Sequence, residues 1–314
     1  MQGGRPSDRM ISPIGSFSAT MRPILLLFAV SIVLTGCSAL MINEQDVFYP
    51  KPSVTPQSFD LEGVTLSDRS ITVADSVDVN AWHLTQDDAR ATVLFFGGNG
   101  FYLVQSRSYL RALTRPPVDA LLWDYRGYGR SDGDPGVETF RRDALAVYDY
   151  LVEDGGVPPE QIVVWGHSLG SFLATHVATQ RSVGGVVLEN PATNVDDWVD
   201  HLFPWYVRLF LGVDVDPSLR QDNNLERVRD LSVPMLIVGG AADNVTDAAM
   251  ARRLHEAAGS PHKQLVVVEE GEHNGLHDHP EVQSAYRTLV QRITDVYAPV
   301  SDTTAGAAVQ DDPS

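Results

Sequence analysis

Cysteine is almost absent. Cys37 is the only one in 314 residues, so no intramolecular disulfide can form. Lysine is nearly as scarce: Lys51 and Lys263 stand alone, and arginine supplies the remaining positive charge. With 23 basic against 41 acidic residues, the formal net charge is −18. Phosphate binding needs a basic footprint, so nucleic acid is excluded as an expected partner. Long apolar runs are also missing. The longest, Ile24–Leu34, is too short to span a bilayer comfortably. No internal repeat and no Pro/Gly/Ser-rich linker interrupts the middle of the chain. At 43% apolar residues, the composition suffices for one large core.

The N-terminal run nevertheless carries information. Met21-Arg22-Pro23 precedes it, and Leu34-Thr35-Gly36-Cys37 ends it. A cationic start, an apolar stretch and a small-residue site form a secretory signal pattern. Leu-Thr-Gly-Cys also resembles a bacterial lipobox, whose cysteine is lipid-modified and becomes the new N-terminus. The resemblance implies a signal peptide over residues 1–36, with translation starting either at Met1 or at Met21. It implies lipidation of Cys37 and a lipid-anchored place in the cell envelope. A plain signal peptide or a short anchor helix is the alternative. Cleavage would remove Arg5, Arg9, Arg22 and Asp8, leaving a still more acidic chain. Lipid, rather than basic residues, would then be the membrane partner. Ser38 resembles an outer-membrane sorting residue in organisms with two membranes.

Residues 37–60 contain Pro50, Pro52 and Pro56 and few apolar clusters, which predicts a tether. From residue 61 the pattern becomes that of a domain ending near residue 298. Ile71–Val73 and Val79–Leu84 read as an antiparallel hairpin. Thr92–Phe96, Ala120–Asp124, Ile162–Trp165, Val186–Leu188, Val233–Val238 and Leu265–Val268 read as buried strands. Helices are expected between them at Leu103–Leu113, Val137–Glu153, Ser168–Gln180 and Asp247–Ala258, with a last one at Glu281–Val296. The alternation predicts an α/β fold with a mostly parallel sheet covered on both faces. Residues 191–230 break it with Trp198, Phe203, Trp205 and Phe210, among other apolar residues, and read as a small helical cap. The cap aromatics either line a pocket or only bury the cap. Residues 299–314 are Ala/Thr/Asp-rich, a composition of disorder.

Gly166-His167-Ser168-Leu169-Gly170 fits Gly-x-Ser-x-Gly between a predicted strand and a predicted helix. A sharp strand-to-helix turn exposes a serine hydroxyl, which makes Ser168 the candidate nucleophile. Such a hydroxyl needs a base to take its proton. Asp243 and His273 follow in the order acid then base, each just past a buried strand, at the edge where open α/β sheets carry their sites. Asp247 rivals Asp243, but it stands where a helix should begin and reads as a cap. His277 and His279 fall in a connecting loop. Together with His273 and Asp278 their spacing is too loose for a metal site, so no metal and no cofactor is expected. His167 reads as a packing residue whose side chain points away. Gly97-Gly98-Asn99-Gly100 follows a strand and is placed to supply one oxyanion donor from Asn99, with Gly100 as the alternative. Leu169 would supply the second.

Asp124-Tyr125-Arg126-Gly127-Tyr128-Gly129-Arg130-Ser131, Gly-His-Ser-Leu-Gly, Asp243 and Glu270-Gly271-Glu272-His273-Asn274 together resemble one branch of the α/β-hydrolase superfamily. That branch holds small-capped serine hydrolases, including protein depalmitoylases and monoacylglycerol-lipase-like enzymes. The resemblance covers roughly residues 60–297. It implies hydrolysis of a small-molecule or acyl-chain ester or thioester through a Ser168–His273–Asp243 triad. The Asp-Tyr-Arg-Gly block is structural in that family. One departure stands out: the family has His-Gly-Asn-Ala where this chain has Gly97-Gly98-Asn99-Gly100. An amidase or peptidase on the same residues, and a catalytically silent envelope lipoprotein, are the alternative readings.

Overall fold

The computed structural model describes residues 40–44, 48, 61–203 and 213–296. The signal sequence, Cys37, most of the expected tether, Trp205, Phe210 and the expected disordered tail lie outside them. The chain divides into two units. One comprises 41–204 and 215–314. Of the other, 1–40 with 205–214, the described residues are Leu40, Val213 and Asp214.

In chain order the strands are β1 (Leu40–Ile42), β2 (Thr65–Thr72), β3 (Asp78–Thr85), β4 (Thr92–Phe96), β5 (Asp119–Trp123), β6 (Ile162–His167), β7 (Gly185–Glu189), β8 (Val213–Val215), β9 (Met235–Gly240) and β10 (Lys263–Val268). The helices are α1 (Arg107–Leu113), α2 (Val137–Glu153), α3 (Gly170–Gln180), α4 (Val195–Leu202), α5 (Pro217–Arg220), α6 (Asn224–Asp230), α7 (Ala248–Ala257) and α8 (Pro280–Val296). Eight strands form one sheet in the order β10-β9-β7-β6-β4-β5-β3-β2. The pairs from β10 to β5 are parallel, while β3 runs antiparallel to both β5 and β2.

Every residue of β4, β6, β7 and β9 is buried. Strands covered on both faces have no polar side to show, which explains their unbroken apolar runs. Helix α2 buries Phe140, Ala144, Val147, Tyr148 and Leu151 on one face, at the expected helical spacing. The sheet and its helices therefore match the α/β architecture that the strand alternation predicts.

Several bounds depart from the sequence reading: β2, expected over Ile71–Val73, spans Thr65–Thr72. The stretch expected as one helix over Leu103–Leu113 is a 3-10 turn, Leu103–Gln105, followed by α1. The helix after Ser168 begins only at Gly170, because Ser168 itself holds φ at +52°. The described residues between β7 and β9 include three short helices, α4 to α6. Each is capped by a side chain, from Asn194, Asp216 and Asn223 respectively.

Candidate active site

The local fold around Ser168 follows from its two glycines. A Cβ on Gly166 would stand 2.3 Å from the carbonyl oxygen of Gly170, and one on Gly170 would stand 2.1 Å from that of Phe96. No side chain fits where β6 turns directly into α3. Between these glycines Ser168 occupies the left-handed region, which non-glycine residues enter at a cost of order 1–3 kcal/mol. The main-chain N–H of Ser168 donates to the carbonyl of Glu189 at 2.9 Å, tying the turn to β7.

The hydroxyl of Ser168 lies 3.0 Å from Nε2 of His273, and Nδ1 of His273 lies 2.8 Å from Oδ2 of Asp243. The three side chains that the sequence singled out thus form one hydrogen-bonded line. Asp243 is buried, and burial opposes its charge. The bonds it accepts from His273 and from the N–H groups of Thr246 (3.0 Å) and Val245 (2.7 Å) outweigh that and hold its carboxyl below the usual range. A carboxylate beside Nδ1 favours the tautomer with the proton there, leaving Nε2 as the acceptor facing Ser168. The rival Asp247 is exposed and caps α7, accepting from the N–H of Ala249 at 2.8 Å.

Asn99 and Leu169 line the same cavity as Ser168 and His273. Gly100 turns with φ of +74° into a neighbouring depression with Tyr109 and His277. The Asp-Tyr-Arg-Gly block grips this loop from behind. Tyr125 donates its hydroxyl to the carbonyl of Gly97 (2.7 Å), and Tyr128 donates to Oδ1 of Asn99 (3.1 Å). Asp124 accepts the N–H of Leu103 at 2.9 Å. The departure at Gly97 has a physical reason: a Cβ there would stand 2.2 Å from the ring of Phe101.

Two histidine readings need correction. His167 does more than pack. Its Nε2 lies 2.9 Å from the main-chain carbonyl of His273, so it braces the loop carrying the candidate base. Burial lowers its pKa, the charge of Glu189 offsets only part of that, and the ring is kept neutral. A neutral ring with the carbonyl as acceptor carries its proton on Nε2. His277 is not in an open loop. It is buried in a 3-10 turn, Leu276–Asp278, with Nδ1 3.2 Å from Glu189, while its ring lies 3.7 Å from that of Tyr109. Glu189 is wholly buried and also accepts from Trp165 Nε1 at 3.1 Å. Among the described residues no group of three or more His, Cys, Asp or Glu side chains is arranged to hold a metal ion.

Three supporting residues carry no sequence signal. Asn190, at φ +45°, accepts the N–H of Gly240 (2.8 Å) and donates to the carbonyls of Glu272 (3.1 Å) and His273 (2.8 Å). Thr246 Oγ1 lies 2.8 Å from Asp243 Oδ2 and 3.0 Å from the carbonyl of Asn190, so its one proton serves either. Phe48, from the expected tether, is buried and lines the cavity. Of the cap aromatics, Trp198 lines it too.

Fold and site define a hydrolase of the α/β class. The chain belongs to the Hydrolase_4 family, described as serine aminopeptidase, S33, whose model matches residues 87–220 and 219–280. An uncharacterized protein of Mycobacterium tuberculosis is 27% identical over 267 residues, 83% of this chain and 90% of its own. Human protein ABHD12B is 27% identical over 227 residues, 65% of this chain and 62% of its own. An esterase of Pyrococcus furiosus has the same fold, with a TM-score of 0.63 at 18% identity, over 78% of this chain and all of that one.

Proposed function

We propose that the protein is a serine hydrolase that cleaves carboxylic esters or thioesters. The observation that carries this reading is the unbroken hydrogen-bonded line from Asp243 through His273 to Ser168. As His273 Nε2 takes its proton, Ser168 Oγ bonds to the substrate carbonyl carbon, and the carbonyl electron pair moves onto oxygen. The N–H groups of Asn99 and Leu169 stabilise that oxyanion. Collapse breaks the bond to the leaving alcohol or thiol, which takes the proton from His273. Water then attacks the acyl-enzyme with His273 as base and frees the acid. Asp243 holds the imidazole and stabilises its charged form.

The family description favours a second reading, cleavage of amides or peptides. An aminopeptidase must hold a substrate ammonium. Among the described lining residues the one carboxylate outside the triad is Asp222, and its oxygens already lie 3.0 Å from Arg141 and 2.8 Å from Arg227. That engagement supports the ester reading. A fluorophosphonate probe is expected to label Ser168, and matched ester and amide substrates should show the ester turned over faster. A folded protein that stays unlabelled would sink the proposal. Equal ester turnover by wild type and Ser168→Ala would instead favour a silent binding protein.

The Leu-Thr-Gly-Cys sequence supports an exported, lipid-anchored location, with Cys37 as the modified residue. Among the described residues no helix is long and apolar enough to cross a membrane. Mass spectrometry of the mature N-terminus tests the anchor: a lipidated Cys37 is expected, and an unmodified cysteine or an intact leader refutes it.

A further inference from the structure

The cavity beside Ser168 has a volume of about 290 Å³, at the lower end for small-molecule sites. Part of its wall comes from a residue that precedes the region matched by the family model. Phe48 is 5% exposed, and its ring centroid lies 4.7 Å from that of Phe140. Both residues line the cavity.

Phe48 is held there by three anchors within seven residues. The carbonyl of Ile42 accepts the N–H of Asp216 at 3.0 Å. Glu44 accepts the hydroxyl of Ser218 on Oε1 (2.6 Å) and the N–H of Val137 on Oε2 (3.3 Å). Val137 opens α2, and a helix start has unpaired N–H groups and favours negative charge. The N–H of Phe48 closes back on the carbonyl of Glu44 at 3.1 Å. One acidic side chain therefore clips the arm to α5 and to the helix that carries Phe140, setting the two rings against each other.

We propose that Phe48 is a specificity-determining residue that limits the length of the aliphatic acyl chain held beside Ser168. The proposal rests on the ester reading. Beside Phe48, the apolar part of the cavity wall is Val137, Phe140, Phe172, Leu173 and Val195, surfaces that offer dispersion and burial, while the one carboxylate among the described lining residues, Asp222, is already held by Arg141 and Arg227. Such a wall recognises methylenes. Each one that it buries is worth about a factor of four in binding, and a chain long enough to meet the ring of Phe48 stops gaining. The preferred substrate is an ester with an acyl chain of medium length.

The test measures kcat/KM of the full chain on p-nitrophenyl esters from two to sixteen carbons. Phe48→Ala is expected to move the optimum to longer acids and to raise the twelve-carbon to four-carbon ratio at least fivefold. Phe48→Trp should lower that ratio, and Glu44→Ala, which frees the arm, should shift it as Phe48→Ala does. A variant that is merely less folded loses all esters by one factor and leaves the ratio unchanged. Ratios unchanged in Phe48→Ala and Phe48→Trp, on a wild type that turns esters over, would overturn the role of Phe48 alone. A wild type inactive on every ester would overturn the ester reading and this inference with it.

Discussion

Asn190 donates its side-chain N–H to the main-chain carbonyl of His273 at 2.8 Å, across 83 positions of sequence. The same side chain accepts the N–H of Gly240 at 2.8 Å, so one amide joins the ends of β7 and β9 to the loop bearing the candidate base. Asn190→Ala removes all of these bonds and leaves a non-glycine residue at φ +45°. A misplacement of about 1 Å in a reacting group can cost on the order of 100-fold in rate. The expected outcome is a fall in kcat of about 10- to 100-fold with KM little changed, read on an ester substrate. A variant with lowered stability but wild-type kcat would show that Asn190 only holds the fold.

Asp243→Asn separates charge from shape. An asparagine Oδ1 can still accept from Val245 and Thr246, whose N–H groups lie 2.7 and 3.0 Å from Asp243 Oδ1. It cannot orient a His273 that donates from Nδ1 and also stabilise the imidazolium. A loss of roughly 10⁴-fold in kcat is expected, with the fold intact by circular dichroism. The carboxyl of Asp243 is held below its usual value of 3.8 in the folded protein. Its charge therefore stabilises the wild type above that value, and this advantage over the asparagine variant disappears as pH falls through the folded pKa. Activity within tenfold of wild type would remove Asp243 from the triad.

How much of this was legible in the sequence depended on range. Gly166–Gly170 is a local arrangement: strand, tight turn and helix lie within a few residues, and the glycines that permit the crossing are part of the motif. Asp243 and His273 were legible because strand ends set their edge of the sheet. Asn190 and Glu189 were not, because their meaning lies in partners brought near only by sheet order, and Thr246 gains its second partner, the carbonyl of Asn190, the same way. His277 looked like a loop residue since its partner, Glu189, is 88 positions away. Phe48 sat in a Pro-containing stretch without periodicity, where only the clip through Glu44 gives it a place.

The pair formed by Glu189 and His277 carries a stability prediction. Glu189 is 0% exposed and accepts from Trp165 Nε1 and from both the main-chain N–H (3.1 Å) and Nδ1 of His277. Burial works against its charge, but the bonds from His277 and Trp165 lower its pKa overall. Glu189→Leu strands these donors without water. A buried donor left without an acceptor costs about 1–3 kcal/mol, so for this set of donors a total of roughly 3–5 kcal/mol is expected. In a domain of this size that corresponds to a Tm lower by roughly 10 °C. Glu189→Leu with His277→Leu should cost less than the sum of the single changes, since the second deletes a stranded donor. A single-variant cost under about 1 kcal/mol, by denaturant unfolding, would contradict this account.

Asp124 gives a pH dependence of the opposite sign to that of Asp243. Burial pushes its pKa up to about 6, with the N–H groups of Leu103 and Arg130 offsetting only part of the rise. In the unfolded chain it returns to near 3.8. Between these values the folded protein binds a proton that the unfolded chain has released. Stability from this group is thus complete below about pH 4 and is lost as pH rises through 6. A rise from 3.8 to about 6 is worth roughly 3 kcal/mol. Other carboxylates titrate over the same range, so the informative quantity is the difference between wild type and Asp124→Asn, which has no charge to bury. Relative to Asp124→Asn, the wild type should lose about 2–3 kcal/mol between pH 4 and pH 7, followed by urea unfolding at each pH. A difference that stays flat, or that grows in favour of wild type as pH rises, would mean that Asp124 keeps its charge in the folded protein and that the bonds from Leu103 and Arg130 outweigh burial.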